Sequence, residues 1–206
     1  MDKFVTLKAV AAPIDMDNVD NDQVLPARFM RKQRSDGMYG TYLFHDLRFN
    51  EDGSVKPDFP LNRPEWRNAK IIVGSYNYSA GSSRLGAIYT HYDFGIRALI
   101  ANSFGDVFFN NCFKNGILPI RMPPEITAAL RGQLHARPGA ELAIDLPRQV
   151  LTDTQGKEYA FDVDPFGKRC LLEGLSDISL TLKRVAEIQA FEVQHRQRFH
   201  WLPVQR

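Results

Sequence analysis

Short apolar runs separated by polar turns dominate the middle of the chain. Three runs are rich in β-branched and other apolar residues and are typical of buried strands, at residues 69–74, 96–101 and 117–120. Between them the pattern predicts a helix from Ser82 to about Tyr92 and another from Phe104 to Lys114, closed by Asn115-Gly116. Strands that alternate with helices in this order predict an α/β core with parallel strands.

The flanking segments carry other patterns. Phe4 to Pro13 predicts a strand that ends at the proline, and Pro123-Pro124-Glu125 is typical of a helix start. Alternating strands are predicted between Glu141 and Val163, followed by a helix over residues 165–173. Near the end, apolar residues recur at helical spacing and predict an amphipathic helix, at Leu182, Val185, Ile188 and Phe191. Residues 32–63 have only short apolar runs and predict a long loop within a single domain that spans residues 1–206.

Composition narrows the class of protein. The net charge of +2 is spread along the chain, which argues against a nucleic-acid-binding protein. The two cysteines, Cys112 and Cys170, lie far apart without metal-ligand spacing, so we expect no metal site in this chain. No stretch reaches the ~20 apolar residues that a membrane span needs, and residues 1–13 do not resemble a signal peptide. We therefore expect a cytoplasmic protein that contacts neither nucleic acid nor membrane.

The loop between the predicted strand at 69–74 and the helix that follows carries the most chemistry. It reads Asn77-Tyr78-Ser79-Ala80-Gly81-Ser82-Ser83-Arg84. Backbone N–H groups at a helix N-terminus bind carboxylate or phosphate, Gly81 permits close approach, and Arg84 can hold a carboxylate with two bonds. The loop thus predicts an anion site. The alternative is an ordinary N-cap at Ser82 with Arg84 as a surface residue.

This loop resembles the Asn-Phe/Tyr-Gly-x-Gly-Ser-Ser-Arg-Glu-His-Ala motif of the aconitase and isopropylmalate dehydratase family. The segment Asn18-Val19-Asp20-Asn21-Asp22-Gln23-Val24-Leu25-Pro26 is similar to that family's Asn-Val-Asp-Thr-Asp-x-Ile-Ile-Pro signature. Further similar stretches follow in order, at residues 43–49, 103–111, 116–119 and 170–182. The resemblance therefore covers nearly the whole chain.

The resemblance implies a fold and a division of labour. It implies the swivelling β/β/α domain, like the mobile C-terminal domain of aconitase, here as the small subunit of a heteromeric hydro-lyase. Such enzymes isomerise a hydroxy acid by removing water and adding it back in the other sense. The resemblance also implies that a large partner subunit supplies three cysteines for a [4Fe–4S] cluster, so that this chain binds no cofactor itself.

The resemblance also assigns roles to individual residues. Ser82 matches the serine that removes a proton from the substrate, and Arg84 matches the arginine that binds a substrate carboxylate. Substrate contacts are expected from Gly81, Ser83, Asp20, Asp22 and Phe44, the last because its loop carries substrate-selecting residues in the isopropylmalate enzymes. Capping of a local turn is the alternative role for Asp20 and Asp22.

The chain departs from the family pattern directly after the arginine. Leu85-Gly86 stands where the motif has Glu-His, and Ser79-Ala80 precedes Gly81 where the motif has Gly and Cys or Glu. The leading hypothesis is isomerisation of 2-isopropylmalate to 3-isopropylmalate through 2-isopropylmaleate in leucine biosynthesis. Two alternatives are a related hydro-lyase for citramalate or another methyl-substituted malate, and a non-catalytic paralogue that only docks on a large subunit.

Overall fold

Seven strands form one mixed sheet in the computed structural model, which describes residues 1–81 and 84–201. The strands are β1 (Thr6–Pro13), β2 (Ile71–Val73), β3 (Ala98–Ala101), β4 (Leu118–Arg121), β5 (Glu141–Asp145), β6 (Val150–Thr152) and β7 (Glu158–Ala160). Their order across the sheet is β4-β3-β2-β1-β5-β6-β7. The first four strands pair in parallel, and β5, β6 and β7 extend the sheet in antiparallel pairing. The predicted α/β class, with a β-rich second half, is confirmed.

The helices that connect and follow these strands are α1 (Asn21–Val24), α2 (His45–Arg48), α3 (Gly86–Phe94), α4 (Asp106–Lys114), α5 (Pro124–Ala136), α6 (Pro165–Glu173), α7 (Asp177–Leu182) and α8 (Val185–Arg198). Short 3-10 turns lie at Ala27–Phe29, Arg34–Asp36, Tyr39–Tyr42 and Pro60–Asn62. Gly174 ends α6 in the left-handed conformation that favours glycine. The helices predicted at 104–114, at the double proline and at 165–173 are confirmed to within about two residues.

Alternation along the strands divides the apolar residues between two cores, one on each face of the sheet. Ile71 and Ile100 face the core beneath α5, whereas Ile72 and Leu99 face the core beneath α3 and α4. Since parallel strands are covered on both faces, their residues are almost all buried, which explains the continuous apolar runs in the sequence.

Two predictions need correction. The helix predicted from Ser82 begins at Gly86 instead, so that Arg84 lies before the helix and Leu85 is its N-cap residue. The loop predicted over residues 32–63 is a succession of short helical turns around α2, and it is anchored by buried apolar residues, namely Tyr39, Leu43, Phe44 and Leu61. Each turn buries single residues at irregular spacing, so no helical or strand period marks them in the sequence.

The two edges of the sheet are both short. β7 has three residues, and β4, at the other edge, carries Pro119 in its interior. The C-terminal arm, which we define as residues 177–201 with α7 and α8, follows α6 and contains no buried residue within either helix. The amphipathic spacing predicted there is confirmed as helix, but its apolar residues face solvent.

Candidate active site

Three loops meet at the carboxyl edge of the parallel strands. They follow β1, β2 and β3, and backbone bonds connect them directly. Ala80 N donates to Val19 O at 2.9 Å, and Tyr78 N donates to Ser103 O at 2.9 Å. Parallel strands bring their carboxyl ends to the same side of a sheet, where ligands bind in open α/β folds. The signature segment and the Gly81 loop, which are distant in sequence, are thereby neighbours.

Side-chain bonds reinforce this junction. Asn21 is buried and accepts a hydrogen bond from Ser79 Oγ at 2.5 Å, while Asn77 Nδ2 donates to Asn18 Oδ1 at 2.9 Å. Asn18, Asn77 and Ser79 all have positive φ, between 52° and 57°. Left-handed backbone costs on the order of 1 kcal/mol per non-glycine residue, and such conformations cluster at functional sites. The network holds the loop in one shape despite that cost.

Two glycines in this junction have different reasons to be there. Gly81 has φ +93°, and no atom of the described residues lies within 4 Å of where a Cβ would be, so its backbone is open to a ligand. At Gly105, a Cβ would lie 2.6 Å from the carbonyl oxygen of Ser79. The third loop can therefore approach the second only because residue 105 has no side chain.

The structure places four of the predicted site residues together. Asp20 pairs with Ala80 in an isolated bridge, and its side chain caps α1 in a capping box with Gln23, which is the structural alternative considered for it. Arg84 lies 3.8 Å from Asp22 Oδ1, with both side chains more than half exposed. Gly81 adjoins this group, whereas the predicted Ser82 and Ser83 lie outside the described residues.

A small pocket beside Arg84 adds residues that the sequence reasoning missed. Its volume is about 360 Å³, and it is lined by Met30, Lys32, Arg34, Tyr39, Arg84, Gly86 and Tyr89. Arg34 is held by two bonds of 2.6 Å to Asp93 and lies over the ring of Tyr89. Lys32 and Arg34 are distant from Arg84 in the sequence. The only signal there was the group of basic residues that Arg28, Arg31 and Arg34 form near the signature segment. A pocket with three cations suits a small dicarboxylate.

Phe44 does not lie in this pocket. Its side chain is fully buried, with φ +52°, and its ring contacts Tyr78 and His91 edge-on. Phe44 therefore offers no surface to a ligand in this structure. It instead supports the loop from beneath, since Tyr78 belongs to the segment that leads to Gly81.

Beneath the loop, a buried polar chain joins it to α3. Tyr78 Oη lies 2.8 Å from His91 Nε2, and His91 Nδ1 lies 2.6 Å from the carbonyl oxygen of Ala87. A carbonyl only accepts, so Nδ1 donates and Nε2 accepts from the tyrosine. Burial lowers the pKa of His91 to about 4, so the imidazole is neutral near pH 7 and suits this arrangement.

The departure at Gly86 has a local structural reason. A Cβ at this position would lie 2.7 Å from Leu25 Cδ2 and 2.9 Å from Tyr39 Oη. Tyr39 is buried, and the 3-10 turn to which it belongs, Tyr39–Tyr42, packs closely on α3. The phenol therefore fills the space that a larger residue at position 86 would need.

No group of three or more His, Cys, Asp and Glu side chains within residues 1–81 and 84–201 is arranged to hold a metal ion. Cys112 and Cys170 are both buried in the fold, and burial raises the pKa of each thiol. These residues do not fit an iron–sulphur cluster. The described helices also include none that is long and apolar enough to cross a membrane.

Comparison with known proteins gives three family matches along the chain. The aconitase C-terminal domain matches residues 1–125, and the LeuD_N family matches residues 128–165. The C-terminal domain of the 3-isopropylmalate dehydratase small subunit matches residues 177–204. These matches follow one another in order and together span most of the sequence.

Individual relatives agree with these matches. The chain is 48% identical to the 3-isopropylmalate dehydratase small subunit of Paramagnetospirillum magneticum and 45% identical to that of Roseobacter denitrificans, covering 98% of this chain and 100% of each relative. A crystal structure of a 3-isopropylmalate dehydratase from Methanocaldococcus jannaschii has the same fold, with a TM-score of 0.65 at 23% identity. That match covers 91% of this chain and 99% of the other. The predicted fold class, that of the aconitase C-terminal domain, is confirmed.

Proposed function

Because the chain belongs to the family of 3-isopropylmalate dehydratase small subunits, we propose that it forms one wall of the site where 2-isopropylmalate is isomerised to 3-isopropylmalate. The reaction proceeds through 2-isopropylmaleate and serves leucine biosynthesis. We also propose that residues 1–206 form one swivelling domain. It works in the cytoplasm, where unpaired thiols such as Cys112 and Cys170 are stable.

One observation carries the proposal: the signature segment, the Gly81 loop and a pocket with three basic residues share the carboxyl edge of the parallel strands. Substrate and product are both dicarboxylates, so the site needs fixed cations. Arg84 binds one carboxylate, and Lys32 lies in the same pocket as a second cation. Asp22 orients Arg84 through their ion pair until substrate replaces it.

Ser82 is the proposed base that removes the proton from the substrate C–H. A serine hydroxyl is weakly basic, so it works only where cations and backbone N–H groups stabilise its alkoxide. Arg84 and the pocket beside it supply positive charge within two residues of Ser82 in the chain. Ser83 adds a hydrogen bond to the substrate, and Gly81 leaves room for the substrate to approach the backbone.

The partner of this chain in the proposed site is a large subunit. We propose that this larger partner holds the [4Fe–4S] cluster, because the described residues of this chain do not fit one. In such an enzyme the cluster supplies a Lewis acid for the substrate hydroxyl. The small chain contributes the base and the carboxylate contacts.

The experiment is to purify the chain anaerobically with its large subunit and to assay 2-isopropylmalate, citramalate and citrate side by side. We expect turnover of 2-isopropylmalate, and preference for citramalate would instead identify the related hydro-lyase. Ser82→Ala should lower kcat by about 10³-fold, within the range of general-base catalysis, without loss of subunit association. Ser54→Ala, at an exposed turn, is the matched control. Near-normal activity of Ser82→Ala would exclude Ser82 as the base.

A further inference from the structure

The C-terminal arm exposes an unusual amount of apolar surface. Large apolar side chains that are more than a third exposed lie along it, namely Ile178, Leu182, Val185, Ile188, Phe191, Val193 and Trp201. Together with Phe166 of α6, and without Val193, which lies on the opposite side of α8 from Phe191, their exposed surface amounts to roughly 800 Å², taking about 200 Å² for each large side chain. Soluble proteins rarely expose patches of several hundred Å² unless these bind a partner.

Part of this surface is concave. Phe166 of α6 and Ile188 and Phe191 of α8 line a groove of about 640 Å³, with Arg184 and Glu187 beside them. The rings of Phe191, His195 and Phe199 continue the stripe along α8, with centroids 5.6 Å and 4.9 Å apart. The groove and the ring stripe therefore form one continuous face, which we call the arm groove.

We propose that the arm groove is a docking surface for the large subunit, a proposal that rests on the proposed function because that function supplies the partner. The matching surface has apolar side chains that enter the groove between Phe166 and Phe191, bordered by carboxylates. Over residues 183–198 basic residues outnumber acidic ones, with Lys183, Arg184, Arg196 and Arg198 against Glu187 and Glu192.

The family matches favour this occupant. The part of the chain shared with the aconitase C-terminal domain ends at residue 125, whereas the match over residues 177–204 is a domain of 3-isopropylmalate dehydratase small subunits. The arm thus belongs to the part that is characteristic of small subunits. A domain that is a separate chain needs its own contact area, and roughly 800 Å² matches the ~800 Å² per partner of a stable interface.

A second copy of the chain is the competing occupant. In an antiparallel pair of α8 helices, Glu187 and Glu192 of one copy would face Arg196 and Arg198 of the other. Such pairing would appear as a dimer of the small chain alone. It would also depend on the same apolar side chains, so the test must measure self-association and subunit association separately.

The test uses the full-length chain with Ile188→Glu and Phe191→Glu together. Ala190→Glu with Gln197→Glu is the matched control, because it adds the same charge on the opposite side of the exposed helix α8. Binding of each variant to the purified large subunit is measured by biolayer interferometry, and the mass of each chain alone by analytical ultracentrifugation. Since both altered side chains are exposed in this chain, circular dichroism should report an unchanged fold.

We expect the groove variant to bind the large subunit at least about 30-fold more weakly, as for loss of a hot spot worth 2 kcal/mol, and the control within about threefold of wild type. Equal binding by both variants would overturn the proposal, as would a small-chain dimer that only the groove variant dissolves. Turnover of 2-isopropylmalate by the wild-type complex tests the proposed function separately. If the groove variant binds the large subunit weakly but the wild-type complex does not turn over 2-isopropylmalate, the docking surface stands and the proposed reaction is rejected.

Discussion

At the carboxyl edge of the sheet, backbone and side-chain bonds tie three loops together over a buried aromatic layer, whereas the C-terminal arm presents its large apolar side chains to solvent. Asn21 and Ser79 are buried at the edge, although both are polar. Ile178 and Trp201 are 73% and 67% exposed on the arm, although both are apolar. Each region thus reverses the usual relation between polarity and burial.

This difference between the sheet edge and the C-terminal arm suits two different proposed functions. A site that holds a small anion gains from loops fixed in advance, because preorganised contacts cost no ordering at the moment of binding. A docking surface needs apolar area that its partner will cover. Substitutions that disturb the bonded loops of the edge should therefore destabilise the isolated chain, whereas substitutions on the arm should change its stability little.

The largest effect on folding is expected from Gly105→Ala. The added methyl group would lie 2.6 Å from the carbonyl oxygen of Ser79, and backbone must move to accommodate it, at a cost of about 3 kcal/mol. Urea unfolding monitored by circular dichroism measures the change. Gly132→Ala in α5 is the control, because no atom of residues 1–81 or 84–201 lies within 4 Å of where its Cβ would be, and it should stabilise the chain by about 0.5–1 kcal/mol. Equal effects would mean that the edge is not tightly fixed.

Arg84→Ala should come next, with its effect on turnover rather than on stability. Loss of a charge-assisted contact to carboxylate costs about 1.5–3 kcal/mol, so kcat/KM of the assembled enzyme should fall roughly 100-fold. Arg148→Ala, which removes an exposed ion pair with Glu158, provides the comparison and should leave kcat/KM near wild type. Similar losses for both variants would argue against a substrate contact by Arg84.

His91 makes the buried layer sensitive to acid. Its pKa is about 4 in the folded chain and about 6.5 when unfolded, so the unfolded chain takes up a proton first as pH falls. Its contribution is complete above pH 6.5 and is lost towards pH 4, amounting to about 2 kcal/mol between pH 8 and pH 5. Urea midpoints measured across this range should fall for wild type. The His91→Gln variant, less stable at pH 8, should lose about 2 kcal/mol less over the same range.

The smallest effect is expected on the arm. Arg196 and Glu192 form an exposed i,i+4 pair at 3.5 Å, and such pairs contribute about 0.3–0.5 kcal/mol. Arg196→Ala should therefore shift the urea midpoint of the isolated chain only slightly. A loss above about 1 kcal/mol would show that the arm supports the folded domain and is not a separate docking surface.

The sequence predicted most of the strands and the longer helices because their apolar residues and their end residues follow simple local patterns. Continuous apolar runs marked β2 to β4, and Asn115-Gly116 marked the end of α4. The signature segment and the Gly81 loop were paired through a resemblance, and the structure places them side by side. Their proximity follows from parallel pairing of β1 and β2, which no local pattern encodes.

What the sequence did not predict depends on long-range packing. Phe44 was expected at the substrate, yet an apolar residue in a polar loop looks the same whether it faces a ligand or the core. The start of α3 was misplaced because Ser82 is a good N-cap, whereas Tyr39 and Leu25 pack against Gly86 in the first turn. Lys32 reaches the Arg84 pocket from a distant turn, and in the sequence only the neighbouring arginines Arg31 and Arg34 marked it.

Pro119 at the sheet edge has a consequence for aggregation. Leu118 N and Met122 N donate inward to carbonyls on the β3 side, at 2.9 Å and 3.0 Å, so the alternate position 119 points its backbone nitrogen outward. Proline has no N–H there, and an incoming strand would find one donor missing at the centre of the edge. With only three residues in β7 at the other edge, neither side of the sheet is a good template for a stray strand or an amyloid-like stack. The isolated chain exposes apolar side chains on its C-terminal arm, but its sheet edges are thus protected against pairing with the strands of other chains.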